Sequence, residues 1–140
     1  MFRAQLLNNY NGNPAVSAKN FSGQIHIRIL PLPYDDFIVA SKEYVRGAMI
    51  QEAFPDLSPA DRDFLITGGT PADWFLTFAG DEEGDPEEDL RVLREEGPNF
   101  MTREQYQLVY AGTCSSEDIL IYNRKQIESK YTQSSMAMAV

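Results

Sequence analysis

Cysteine, histidine and tryptophan each occur once, as Cys114, His26 and Trp74. One cysteine excludes a disulfide within the chain and any multi-cysteine metal site, and it fits a reducing compartment. One histidine excludes a multi-histidine metal centre within one chain, and no spacing supports a Ser-His-Asp or Cys-His constellation. No apolar run approaches the roughly 20 residues that a membrane-spanning helix needs. The opening residues, MFRAQLLNNYNGN, reach asparagine before the apolar core of a signal peptide could form, so the expectation is a soluble, intracellular protein. Cations are scarce: 12 Lys and Arg stand against 21 Asp and Glu, a net charge of −9. That imbalance disfavours direct binding to nucleic acid or to an anionic membrane. A phosphate-binding glycine loop is missing too. Gly68-Gly69 has no earlier glycine at the required spacing, and Thr70-Pro71 follows where a lysine would be needed.

What is present suits a globular protein. The 140 residues suffice for a domain with a sizeable core, and 43% hydrophobic with 24% charged residues is ordinary. Phe2–Leu7 reads as a short strand. Residues 8–14 (NNYNGNP) read as turn chemistry, with Asn11-Gly12 suited to positive φ. In residues 24–30 (QIHIRIL), Ile25, Ile27 and Ile29 alternate with Gln24, His26 and Arg28. This predicts a strand with one buried face and one wet face, ended by Pro31 and Pro33. Residues 34–46 read as a helix, with Asp35 and Asp36 in its first turn and Phe37, Ala40, Tyr44 and Val45 as its apolar stripe. Gly47 breaks it, and Met49–Phe54 makes one more helical turn before Pro55.

The stretch Ile50–Phe78 organises the chain. Ser58-Pro59 with Asp61, and Thr70-Pro71 with Asp73, are two copies of one helix-start signal: a capping hydroxyl, proline at the first turn and an acid three residues on. Gly68 supplies the left-handed residue that ends the first helix. Two short helices therefore meet at a two-glycine elbow. Neither is stable alone, and Phe64, Leu65, Trp74, Phe75 and Phe78 are the expected packing residues. Asp85-Pro86 starts a further helix that ends at Gly97-Pro98. Thr102 with Gln105 caps another, ending near Gly112, and Ser115 with Asp118 opens a last element: Ile119–Tyr122 alone reads as a strand, but Ile127 and Tyr131 extend a helical spacing and favour a helix. The expectation is an α+β fold: a small N-terminal antiparallel sheet or hairpin followed by five or six short helices. The expected division is a strand-plus-helix domain over 1–80, an acidic linker with C-terminal helices over 81–133, and a flexible tail over 134–140.

The strongest surface feature is acidic. Residues 81–89 (DEEGDPEED) are acidic at every position except Gly84 and Pro86. A calcium loop needs glycine at its sixth position, and counting from Asp81 puts Gly84 at the fourth, so that pattern fails. A solvated linker leading into a capped helix accounts for most of the run. The functional alternative is a docking surface for a protein with a basic patch, carried by Asp81, Glu82, Glu83, Asp85, Glu87 and Glu88. Together with Asp35, Asp36, Asp61 and Asp63, the run also permits a weaker reading as an acidic nucleic-acid-mimicking inhibitor. His26 is expected to face solvent, Cys114 to be a small packed residue and Trp74 to belong to the core. Catalytic, metal and cofactor residues are expected to be none.

One run resembles a sequence found in small phage-encoded proteins that have no assigned activity. It stands here as Ile50-Gln51, Ala53-Phe54-Pro55, Leu57-Ser58, Asp61-Arg62-Asp63-Phe64-Leu65, Thr67-Gly68, Thr70-Pro71 and Trp74, about a fifth of the chain. The resemblance implies a phage or prophage origin and transfers no functional residue. The resulting expectation is a non-enzymatic phage-type accessory protein that binds another protein, such as a host factor, in the host cytoplasm. The alternative is a virion structural or assembly component, in which the N-terminal strands build a homo-oligomer.

Overall fold

A computed structural model describes residues 2–78 and 86–132. The fold is α+β, a small antiparallel sheet followed by helices. The chain divides into two compact units, Met1–Gly69 and Thr70–Val140.

In the first unit, β1 (Gln5–Tyr10), β2 (Asn13–Lys19) and β3 (Ile25–Ile29) form an antiparallel meander with β2 between the other two. The β1–β2 turn is Asn11-Gly12, at φ 50° and 93°, the positive-φ geometry whose twist matches a two-residue hairpin. A bulge at Leu7, between the pairs Leu6–Val16 and Asn8–Ala15, puts one extra residue in β1. The strand β2 was not expected from sequence. Its residues NPAVSAK do not alternate in polarity, because Ala15, Val16 and Ala18 are all buried and both of its faces are covered. Pro14 cannot donate to the ladder. Leu30 N–H donates to Pro14 O at 2.9 Å. Where the reciprocal bond would come from Pro14, Asn13 Nδ2 donates instead to Leu30 O at 3.2 Å and to Leu32 O at 3.0 Å.

Helix α1 (Tyr34–Val45) starts where Tyr34 N–H donates to Gly12 O at 2.8 Å. Its buried stripe is Phe37 and Ala40, with Tyr44 one turn on. Val45, expected in that stripe, is 73% exposed, because it lies about 100° around the helix from Tyr44. The turn α2 (Ile50–Ala53) closes an aromatic cluster. Phe2 stacks on Tyr44 with centroids 4.7 Å apart, and Phe2 and Phe37 each lie 5.7 Å from Phe54.

Helix α3 (Pro59–Thr67) is capped as the sequence predicts: Ser58 Oγ accepts from Asp61 N–H at 3.1 Å, and Gly68 is left-handed at φ 77°. Phe64 and Leu65 are fully buried. Both ends of α3 are tied to strands or to the segment leading into them. At the first end, Arg28 of β3 donates from Nε to Asp61 Oδ1 at 2.9 Å and from Nη2 to Oδ2 at 3.3 Å. These side chains are only 14% and 4% exposed, and Arg28 Nη1 also donates to Ile29 O. This corrects the expectation that the Gln24, His26 and Arg28 face is wet: Arg28 is covered, and Asp61 is the group that covers it. At the second end, Leu65 O accepts from both Arg3 N–H and Ala4 N–H, and Arg3 Nε donates to Lys19 O. A Cβ on Gly68 would sit 2.6 Å from Lys19 O, so this glycine is required by close approach as well as by its φ.

The second unit begins with α4 (Pro71–Phe78), started by reciprocal bonds between Thr70 and Asp73. Trp74 and Phe75 are half-buried, and Leu76 is exposed. Helix α5 (Pro86–Glu96) runs into a 3₁₀ turn (Gly97–Asn99) and the short strand β4 (Phe100–Thr102). Helix α6 (Arg103–Tyr110) carries the Thr102–Gln105 capping box, and α7 (Ser116–Ile127) is capped by Ser115. A π-type turn (Glu128–Thr132) follows. The buried residues of this unit include Leu93, Phe100, Met101, Tyr106, Val109 and Ile119. Asn123 ties three elements together: its Oδ1 accepts from Gln105 Nε2 at 2.8 Å, and its Nδ2 donates to Pro98 O at 3.2 Å.

Two expected outcomes test this architecture. Asp61→Ala leaves Arg28 buried without its carboxylate and should cost about 3–5 kcal/mol in chemical denaturation, whereas replacing both residues by apolar side chains of similar volume should cost much less. Gly68→Ala, which meets backbone and a forbidden φ together, should lose about 1–3 kcal/mol or more. A neutral Gly68→Ala would show that α3 does not pack against the end of β2 as described.

Candidate functional site

The acidic stretch is the feature from which sequence assembles a site. Asp81, Glu82, Glu83 and Asp85 lie outside the described residues. Glu87 and Glu88 are exposed in the first turn of α5. Residues 87, 88, 91, 94 and 95 follow helical spacing, so Glu87, Glu88, Arg91, Arg94 and Glu95 share one outward face. With Leu90 at its margin, this face borders a shallow depression of about 410 Å³. The opposite face carries the fully buried Leu93, which holds the helix in its unit.

Arg91 organises the charges on this face. Its Nε donates to Glu88 Oε2 at 3.0 Å, its Nη2 donates to Glu88 Oε1, and its Nη1 donates to Glu95 Oε2 at 2.8 Å. The forked hydrogen bond from Arg91, helped by the guanidinium charge and opposed by slight desolvation, holds the Glu88 carboxyl below its usual range. Glu88 and Glu95 raise Arg91 further above its already high range. A carboxyl lowered in the folded state stabilises that state above its unfolded pKa, and the contribution disappears as pH falls through the folded value. All three groups are solvent-exposed, so the energetic consequence is small and screened by salt. Part of the acidic face is therefore already neutralised by an internal cation, which the charge count along the sequence does not reveal.

Other residues singled out from sequence lie elsewhere. His26 stands opposite Ala18 in the β2–β3 ladder, half-buried, with its Nδ1 shielded from water rather than facing solvent. Cys114 lies half-buried in the connection between α6 and α7, where its N–H donates to Leu108 O at 3.3 Å. His26 belongs to the first unit and Cys114 to the second. Among the described residues, no three His, Cys, Asp or Glu side chains gather in a metal-binding geometry.

Sequence reasoning missed a second surface feature. On α6 and α7, Leu108 (42%), Tyr110 (60%), Ile121 (42%) and Tyr122 (53%) are exposed. The signal was available in the helical spacing. The stripes Tyr106–Val109 and Ile119–Asn123–Ile127 take the inward positions, which leaves these four residues on other faces.

In solution, an NMR titration should find the Glu88 carboxyl below the ordinary glutamate range, and Arg91→Gln should return it to that range. An unshifted value in the unmodified protein would show that the fork is absent. Comparison with protein-family models, with curated proteins and with solved structures found no match to this chain.

Proposed function

We propose that this chain is a phage-type accessory protein that acts by binding another protein, not by catalysis, in the cytoplasm of a bacterial host. The observation that carries this reading is the surface of the second unit. Its helices expose large apolar side chains, two of them tyrosines, in the same unit as the acidic α5 face. Interfaces combine such parts: aromatic and aliphatic anchors that are desolvated on binding, and charged groups at the rim that steer encounter. An excess of 21 acidic over 12 basic side chains fits a partner with a basic patch. The resemblance of Ile50–Trp74 to phage-encoded proteins supports the origin.

The test is capture from host lysate followed by affinity measurement with the captured protein. Tyr110→Ala and Tyr122→Ala should each weaken binding by about 1–2 kcal/mol or more while leaving the fold intact by circular dichroism. Replacing Glu82, Glu83, Glu87 and Glu88 by Gln should slow association and flatten its salt dependence. Unchanged affinity at low salt for the Gln variant would remove the acidic docking face, and unchanged affinity for both Tyr variants would remove the anchors.

A further inference from the structure

We propose that Asn11 is a site of spontaneous modification, where loss of ammonia and uptake of water turn its carboxamide into a carboxylate, and that Asn9 sets the rate. The reaction requires the backbone nitrogen of the next residue to reach the asparagine's own Cγ. Glycine obstructs that approach least, because it has no Cβ and accepts backbone angles that other residues resist. Asn11 is followed by Gly12, while every other asparagine of the chain precedes a residue that carries a side chain. The fold adds to this pairing. Asn11 and Gly12 are both exposed at the tip of the β1–β2 hairpin, and nothing lies within 4 Å of the place where a Gly12 Cβ would stand. The Asn11 carboxamide has no hydrogen-bond partner among the described residues, so none restrains it. The attacking nitrogen, by contrast, is guarded: Gly12 N–H donates to Asn9 Oδ1 at 2.7 Å.

Gly12 N first loses its proton to solvent and then attacks Asn11 Cγ. A new N–Cγ bond forms, the Cγ–Nδ2 bond breaks, and Nδ2 leaves as ammonia with a proton from water. The product is a five-membered succinimide ring, which water opens at either carbonyl. Opening at Cγ gives aspartate, and opening at the backbone carbonyl gives isoaspartate, in which the chain runs through Cβ and Cγ. No electrons are gained or lost, and water is the only co-reactant. The bond to Asn9 keeps the proton on Gly12 N, so attack waits for openings of the turn. The consequence reaches beyond the turn. Isoaspartate puts an extra backbone carbon into a two-residue connection and displaces Gly12 O, the acceptor for Tyr34 N–H at the start of α1. Either product also puts a negative charge into a hairpin that carries none between Gln5 and Ala18.

The experiment is timed incubation of the full folded chain at neutral and mildly alkaline pH, followed by mass spectrometry of its peptides with fragmentation that separates aspartate from isoaspartate. The expected result is conversion at Asn11 ahead of every other asparagine, faster at the higher pH because a proton must leave Gly12 N. Asn9→Ala should speed it about fivefold, the factor that one net hydrogen bond is worth. Asn9→Asp keeps an acceptor and should stay slow. Asn11→Gly, which suits the positive φ of this position, should fold and show no conversion there. An Asn11 that stays intact in the folded chain while the chain in denaturant converts overturns the proposal, as does conversion spread evenly over the asparagines. An Asn9→Ala rate equal to that of the unmodified protein overturns the role of Asn9. Should Asn9→Ala fail to fold, hydrogen exchange of the Gly12 amide decides: slowing below the unfolded rate is expected, and exchange at the unfolded rate removes the guard.

Discussion

The buried fork between Arg28 and Asp61 is the constraint on which the first unit depends. Removing both charges from water is costly, and the attraction between them offsets that cost only if the geometry is held. Here it is held from both sides. Arg28 is fixed in β3 and also bonded to Ile29 O, while Asp61 is fixed in the first turn of α3 by the Ser58 cap. One acid therefore closes a helix start and neutralises a sheet cation at once. The other end of α3 is set by contact rather than charge. Leu65 O receives two N–H groups from the segment entering β1, and Gly68 lies against the carbonyl of Lys19. A helix pinned at both ends has one register against the sheet, which is how a nine-residue helix too short to persist alone becomes a fixed element.

The second unit is held differently. Its polar node is neutral: the Thr102–Gln105 capping box extends through Gln105 to Asn123 of α7, and Asn123 reaches on to Pro98 O. One side chain thereby sets α7 relative to both the start of α6 and the 3₁₀ turn. Among its described residues, Leu108, Tyr110, Ile121 and Tyr122 remain in water. The first unit packs Phe2, Phe37, Tyr44 and Phe54 against one another, while Phe21, Val39, Val45 and Met49 stay exposed.

The sequence by itself determined the local events. Helix starts at Ser58, Thr70, Thr102 and Ser115, the left-handed stop at Gly68 and the Asn11-Gly12 turn are decided by bonds and φ preferences within a few residues, so they are legible from the residues alone. Tertiary structure decided what depends on distant partners. The strand β2 carries no alternation because it is covered on both faces, and its donor deficit at Pro14 is made good by a neighbouring amide. Asp61 looks like one more first-turn acid until Arg28, 33 residues away in sequence, is brought onto it. Trp74 belongs by composition to a core, and the fold leaves it half-buried. In each case hydrogen-bonding capacity and charge were written in the residue, but whether water or protein satisfied them was settled only when the chain closed on itself.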